Sequence, residues 1–506
     1  MPERVFFGTL PTGGGARPGR GAFRVLLIGD FSARAARGVQ APLAGREARK
    51  IDVDNWEDVL RSLGPEATVP VADGSAGITI RPEEIDDFHP DVLFDRLDVF
   101  RALRSLRKRL RDPASFDAAA AEIRSWAGAP AEPPAPAADK PRPAGEADGD
   151  TLGRLLGDRP AHADRPAPSP GGAGALDAIL RGVVGPYIVP DTKMEQSALL
   201  ARLDDVVAGQ MRAILKDGAF RGLEAAWRSM HFLVTHLETD EQLTLSLLDA
   251  TKPELIADLM AGDDLQSTAL FKLLVTRAVG SQGGEPWSLV AVAERFDKAI
   301  VDAALLGRMA KIAQAAGAPL VAGARDRVGG CDSLAATPDP DDWSAPIAPE
   351  EDAAWTALRQ LPEARWLALA LPRMLLRLPY GRDTDPVERF DFEEVDDAWG
   401  HESYLWGNPA FALVQVLGAG FVDRGWDMAA ELYRDIDDLP MHVYTADGDR
   451  QVMPCAEAYL SDRAGEALQQ QGLTALLSVQ GRNCIRTRGI GCLADPVTAL
   501  AGPWKG

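Results

Sequence analysis

Six histidines and four cysteines are the side chains of this 506-residue sequence best suited to acid–base, nucleophilic or metal chemistry. His231 and His236 stand five apart on a helical stretch and so fall on different faces, whereas a shared metal ion would want a spacing of three or four. Cys331, Cys455, Cys484 and Cys492 form no C-x-x-C pair, and no histidine lies near the last two, so they read as ordinary semi-buried thiols. His401-Glu402 lacks the second histidine of a metalloprotease helix. Gly13-Gly14-Gly15 precedes a strand instead of following one, as a phosphate loop would require. Gly283-Gly284-Glu285-Pro286 is a turn by composition, and no G-x-S-x-G elbow occurs. His401, His442 and Asp391 remain as groups that folding could bring together in a catalytic constellation. Packing and surface roles account for each of them. The expectation is a chain with no enzymatic activity, no cofactor and no metal.

The elements that would position these groups can be read from hydrophobic periodicity. Ala22–Gly29, AFRVLLIG, is a continuous apolar run closed by glycine, the signature of a buried strand. Asn55 is placed to cap a short helix with Val59 and Leu60 inward. Gly77–Arg81 reads as a second strand. After Asp86-Asp87-Phe88-His89-Pro90-Asp91, one long helix is predicted from the spacing of Val92, Leu93, Leu97, Phe100, Leu103, Leu106 and Leu110. Its other face is basic. Of that face, Arg101, Arg104, Arg107 and Lys108 are the candidate docking residues for an acidic neighbour, and a solvated helix face is the plainer account. Phe116–Trp126 is one more helix. Further on, helices are predicted over Ser197–Leu215, Phe220–Leu237, Pro253–Met260 and Leu305–Ala316. Strands are predicted over Glu241–Leu248, Ser288–Ala293 and Pro319–Ala324. Trp366–Ala370, Ala412–Leu417 and Ser461–Gln471 supply more strand or helix. Strand–helix–strand order points to a mixed α/β core with some parallel pairing.

Between these halves runs a Pro/Ala-rich seam. Ten prolines fall between Gly128 and Pro170, a composition that cannot bury enough apolar surface to offset chain entropy. The expected organisation is a first unit over 1–127, a flexible linker over 128–175 and a second unit over 176–506. Within the seam, Thr151–Asp158 is a small apolar island. It is either a chance cluster or a recognition segment that folds on a partner through Leu155 and Leu156. The net charge of −21 is uneven: residues 1–170 carry 24 basic and 26 acidic side chains, residues 171–506 carry 30 and 49. An acidic second half argues against nucleic acid and against anionic membrane surfaces as partners. The longest apolar stretch, Trp366–Tyr380, is broken by Arg373, Arg377 and two prolines, so no membrane span is predicted. No secretory signal opens the sequence, and the expected compartment is the cytoplasm.

Three segments of the first half, Phe23–Ser32 (FRVLLIGDFS), Ala48–Val59 (ARKIDVDNWEDV) and Asp86–Arg111, resemble the small sheath subunit of bacterial type VI secretion systems, with Trp56 where that family usually has Phe. The second half resembles the large sheath subunit. Phe220–Leu237 (FRGLEAAWRSMHFLVTHL), Leu371–Gly381 (LPRMLLRLPYG), Asp385–Glu394 (DPVERFDFEE) and His401–Asn408 (HESYLWGN) follow in that family's order, and Leu439-Pro440 and Ser461-Asp462-Arg463 continue the match. The large subunit usually continues for about another hundred residues, roughly one small domain, beyond the point matched by Gly506.

The resemblance implies a two-unit, sheath-subunit-like architecture and a mechanical role. Protomers would assemble with one another around an inner tube protein in a stretched state and then slide into a shorter packing that drives the tube outward. Baseplate components are implied as further partners, and a Clp-class disassembly ATPase would read the start of the large unit, near Thr151–Asp158 and Leu176–Leu180. A second structural reading is an accessory that caps, nucleates or regulates a sheath, prompted by the shorter large-subunit region. An enzyme built near His401 and His442 is the reading from another class.

Overall fold

The computed structural model describes residues 5–10, 21–70, 77–127, 192–281, 283–395, 401–430, 433–446 and 448–504. The 128–175 linker, Leu155, Leu156 and the Leu176–Leu180 region lie outside the described residues.

One mixed sheet organises the larger unit. Its strands are β1 (Phe23–Gly29), β2 (Arg49–Ile51), β3 (Leu243–Asp249), β4 (Leu289–Phe296), β5 (Leu320–Ala324), β6 (Leu367–Leu371), β7 (Tyr433–Ile436), β8 (Leu473–Ser478) and β9 (Ile485–Arg488). They lie in the order β7-β9-β8-β6-β5-β4-β1-β3-β2. The six neighbours from β8 to β3 run parallel, and the antiparallel partners β9, β7 and β2 close the two sides. Parallel strands buried on both faces are built from near-continuous apolar runs, and FRVLLIG and LALAL satisfy that demand.

Helices cover both faces. The helices of seven residues or more among the described residues are, in chain order, α1 (Trp56–Leu63), α2 (Pro90–Arg96), α3 (Asp98–Arg111), α4 (Phe116–Ala127), α5 (Thr192–Lys216), α6 (Gly218–His236), α7 (Lys252–Leu259), α8 (Ile300–Ala316), α9 (Pro349–Arg359), α10 (Ala410–Arg424) and α11 (Asp462–Gln470). α7, α8, α9 and α11 share one core with Leu26, Ile28, Leu248, Val290, Val292, Leu320 and Leu369. α6 and α10 pack on the opposite face, where every residue from Ala410 to Phe421 is buried and Phe421 stacks on Phe23 at 4.9 Å. The result is a doubly wound α/β layer structure, the mixed α/β class expected.

The division by space differs from the division by sequence. The chain forms one compact unit from 1–69, 79–95 and 210–506, and a second from 70–78 and 96–209. The larger therefore takes elements from both sides of the proline-rich seam. In the smaller unit, α3 packs against α4, and Arg107 of α3 is ion-paired to Asp204 of α5 at 2.8 Å.

Two local readings need correction. The single helix expected over 92–110 is two helices, because Leu97 adopts extended backbone (φ −76°, ψ 133°) and α3 restarts at Asp98, an acid suited to a helix N-terminus. Asn55 does not cap α1; its side chain instead accepts the N–H of Asp52 at 3.0 Å. Ala412–Leu417, left open as strand or helix, is part of α10. A six-residue π-helix, Lys272–Arg277, was not foreseen.

Candidate functional site: the clasp around β1

The distinctive geometry of the larger unit is the seat of β1. Strands β3 and β4 follow one another in sequence, yet they do not pair; β1, from beyond the seam, lies between them in parallel register with both. Phe23, Val25, Leu26 and Ile28 are fully buried there. Without β1 a gap of about 10 Å, two strand spacings, would separate β3 from β4.

The turn leaving β1 is bound on every side. Gly29 is required because a Cβ there would sit 2.8 Å from the Cβ of Ala293. Asp249, at the end of β3, accepts the backbone N–H groups of Phe31 (2.9 Å) and Ser32 (3.2 Å) and the Ser32 hydroxyl (2.7 Å). The indole N–H of Trp227 on α6 donates to the Phe31 carbonyl at 2.8 Å, and the two rings meet edge to face. Trp227 is itself fully buried in the core.

Two ionic hubs follow. Glu254 closes a capping box with Thr251 at the start of α7. Its side chain is 1% exposed and receives Arg34 at 2.9 Å and Arg46 at 2.7 Å, with a further N–H from Ala41. Burial works to raise Glu254, but hydrogen bonds from Arg46, Thr251 and Ala41 and the charge of Arg34 outweigh it and hold the carboxyl at about 2. The second hub joins three of the segments that resemble the large sheath subunit. Arg377 is sandwiched between Glu224 of α6 (2.7 Å) and Glu394 (2.7 Å), its guanidinium 4.0 Å from the centre of the Tyr380 ring. Arg228 bonds both Glu224 and the Tyr380 hydroxyl. Burial pushes Glu224 up, but Arg377 and Arg228 prevail and hold it below the usual carboxylate range. The segment before α3 docks beside this hub. His89 meets Tyr380 edge to face at 4.9 Å, Phe88 meets Phe220, and Phe94 meets Phe390. Asp91 accepts the N–H groups of Glu388 and Arg389 at 3.0 and 2.9 Å.

The residues singled out from sequence are distributed as follows. Of the basic set on α3, Arg107 turns inward to Asp204, while Arg101 is exposed and paired with Asp98 of its own helix. Arg104 is half-buried and donates to the Leu97 carbonyl, and Lys108 is exposed. Trp406 is buried and Trp366 packs at the edge of the core. His442 bonds the Tyr404 hydroxyl at 2.8 Å, Asp391 pairs with Arg382, and His401 faces Glu457 and Glu402 at 3.2 Å each.

His401, Glu402 and Glu457 offer ligand atoms within 4.8 Å of one another. Arg373, however, already bonds both carboxylates, so the positive charge a metal would supply is present as a guanidinium. This is a structural ion network. The hydrogen bond to Glu457 raises His401 above the ordinary histidine range, against burial, which lowers it. Burial would raise Glu457, but Arg373 and His401 hold it at about 2. Stability from the raised histidine is full below its unfolded pKa and lost as pH rises through the folded value. Stability from the depressed Glu457 is lost only as pH falls toward 2. His401→Gln should therefore cost about 1 kcal/mol near pH 5.5, and the deficit should vanish by pH 9. Urea melts of both proteins at the two pH values check this; a deficit independent of pH would rule it out.

Sequence reading missed the hubs as hubs. Arg373 and Arg377 were visible only as charges that break an apolar run, and Thr251-x-x-Glu254 carried a legible capping signal. Nothing marked Arg46. The four cysteines are buried and free. Among the described residues no helix is long and apolar enough to cross a membrane.

Comparison with known proteins places both halves. Residues 197–488 match the VipB tail sheath N-terminal domain family, and residues 12–121 match the type VI secretion system VipA family. A type VI secretion system sheath protein, TssC1 from Pseudomonas aeruginosa, is 36% identical over 286 residues, which cover 55% of this chain and 57% of that relative.

Proposed function

The chain belongs to the VipB tail sheath family and carries a VipA-type segment ahead of that domain, and from this we propose that it is a structural protomer of a type VI secretion contractile sheath. The observation that carries the reading is the seat of β1: the VipA-type segment supplies the strand that fills the VipB-type sheet between β3 and β4. A unit sewn together in this way suits a part that must bear load, because the buried strand and the Glu254 hub resist separation of the halves. The catalytic alternative has no such support: His442 is bonded to a tyrosine, and His401 serves an arginine–glutamate network.

In this reading the protomers assemble with one another in the cytoplasm around an inner tube protein. They grow from baseplate components and slide from a long to a short packing that expels the tube. An acidic chain of this kind has no nucleic-acid partner. Fusion fixes a one-to-one ratio of the two segments and raises their effective concentration. Recycling by a Clp-class ATPase is part of the proposal only through the family resemblance.

Sedimentation velocity and negative-stain imaging of the full chain test it. Cogwheel-section tubes are the expected result. Small discrete particles under every salt and concentration condition would sink the bulk-sheath reading and favour the accessory one.

A further inference from the structure

Residues 5–10 cross α8 as an extended strap, and α8 is shaped to receive it. Gly307 stands in the middle of that helix, where glycine is disfavoured relative to alanine. The space it leaves is used, because a Cβ there would overlap the Phe7 ring. One turn on, Lys311 donates to the Gly8 carbonyl at 3.0 Å. Gly8 has a φ of +71°, and a Cβ on it would press against Leu265, beyond the end of α7. Thr9 completes the seat with a parallel bridge to Asp264: its N–H donates to the Asp263 carbonyl at 2.7 Å, and its carbonyl accepts the Leu265 N–H at 3.3 Å. Val5, Phe7 and Leu10 pack partly buried against the core.

The slot is built without the strap. Arg308, buried next to Gly307, donates to the carbonyls of Leu259 and Gly262 at 2.6 and 2.7 Å, and so ties the end of α7 and the loop after it to α8 through no residue of 5–10. Its guanidinium lies 5.8 Å from the centre of the Phe6 ring, which is 49% exposed. The hold on the strap is light by comparison. One bridge, one lysine and a few partly buried side chains must offset the ordering of six residues, and these opposing terms nearly cancel. Residues 11–20, PTGGGARPGR, separate the strap from the start of the β1 region. A tether of that length keeps a segment at an effective concentration on the order of millimolar. Occupancy by the chain's own strap therefore owes much to the tether.

We propose that the face of α8 around Gly307 and Lys311 is a docking slot for an extended, uncharged segment in which an aromatic residue precedes glycine, and that residues 5–10 are its releasable plug. While the strap is seated, the slot is closed to other polypeptides. When the strap leaves, a segment of the same chemistry on another chain takes its place. The strap itself defines that chemistry: a ring for the space over Gly307, a left-handed glycine beside Leu265, a carbonyl for Lys311 and an N–H for the Asp263 carbonyl. The inference stands on these contacts and does not require the sheath reading.

The test uses the full chain and a fluorescein-labelled peptide copying residues 2–10, PERVFFGTL, read by anisotropy. Wild type, with its slot filled, binds the peptide weakly. Phe7→Ser empties the slot and should bind it about tenfold more tightly or better. Thr9→Pro removes the N–H bonded to Asp263, leaves α8 unaltered and should act in the same direction. Phe7 is only partly buried and Thr9 is exposed, so both variants keep the fold. Adding Gly307→Ala to either should cancel the gain, with a melting temperature no lower than that of its parent, because alanine favours the helix. A peptide carrying the Phe7→Ser change should bind none of these proteins. The proposal is overturned if neither released variant binds the peptide better than wild type. It is equally overturned if Gly307→Ala leaves the gained binding intact.

Discussion

Arg377→Met should destabilise the chain by about 3–5 kcal/mol, the usual consequence of removing one partner from a buried ion network. The reason is local. Glu224 is fully buried and Glu394 is 5% exposed, and both direct their carboxylates at the Arg377 guanidinium. Arg228 would remain beside Glu224, but Glu394 would be left with the backbone N–H of Tyr380. The loss should be seen as a lowered urea midpoint with an unchanged slope. The pH dependence has a definite sign. Glu224 is held below its unfolded value, so the stability it lends is present above the ordinary carboxylate range and is lost as pH falls. Wild type should lose stability in acid, and Arg377→Met, with that linkage removed, should lose less. Replacing Glu224, Arg377 and Glu394 together by apolar residues of similar volume should recover most of the deficit, since burying charges is itself costly. A triple variant as unstable as the single one would show that the hub matters for shape and not for charge.

How far the sequence foretold this structure depends on the range of the interaction. Phe23–Gly29 is legible as a buried strand because its apolar run leaves no solvent face. Its neighbours are not legible, because pairing with β3 and β4 is set by contacts more than two hundred residues away. The break at Leu97 is invisible to periodicity, since the apolar spacing runs straight through it and only the backbone turns. Asn55 was expected to cap, and Asp52 supplied a competing partner three residues away. For the site, the motifs that mark the large-subunit resemblance, around Glu224, Arg377 and Glu394, stood out as residue types. Their convergence on one guanidinium did not, because nothing in linear order says which carboxylate an arginine will meet. The basic face of α3 shows the same limit from the other side: six basic residues look alike in sequence, and Arg107 turns to Asp204, an acidic residue from beyond the seam.

Cutting the seam should leave the molecule whole. With a specific protease site introduced between Gly128 and Ala175, cleavage should yield two fragments that co-elute and unfold in one transition, only slightly less stable than the uncut chain. Fragment 1–127 expressed alone should lack stable structure. The argument is one of burial. Phe23, Val25, Leu26, Leu27 and Ile28 are at most 1% exposed and owe this to β3, β4 and the helical layers. Each such side chain contributes about 1.5–3 kcal/mol when buried, and all of that is absent for the fragment by itself. The Glu254 hub points the same way, because Arg34 and Arg46 lie on one side of the cut and their carboxylate on the other. The covalent link adds effective concentration, an advantage that disappears once the pieces are present at concentrations well above their dissociation constant. Two fragments that part spontaneously on a sizing column in native buffer would show that β1 is not held as the structure places it. A folded, monomeric 1–127 would show that this segment has a core of its own, and the account of one interwoven protomer would then have to be abandoned.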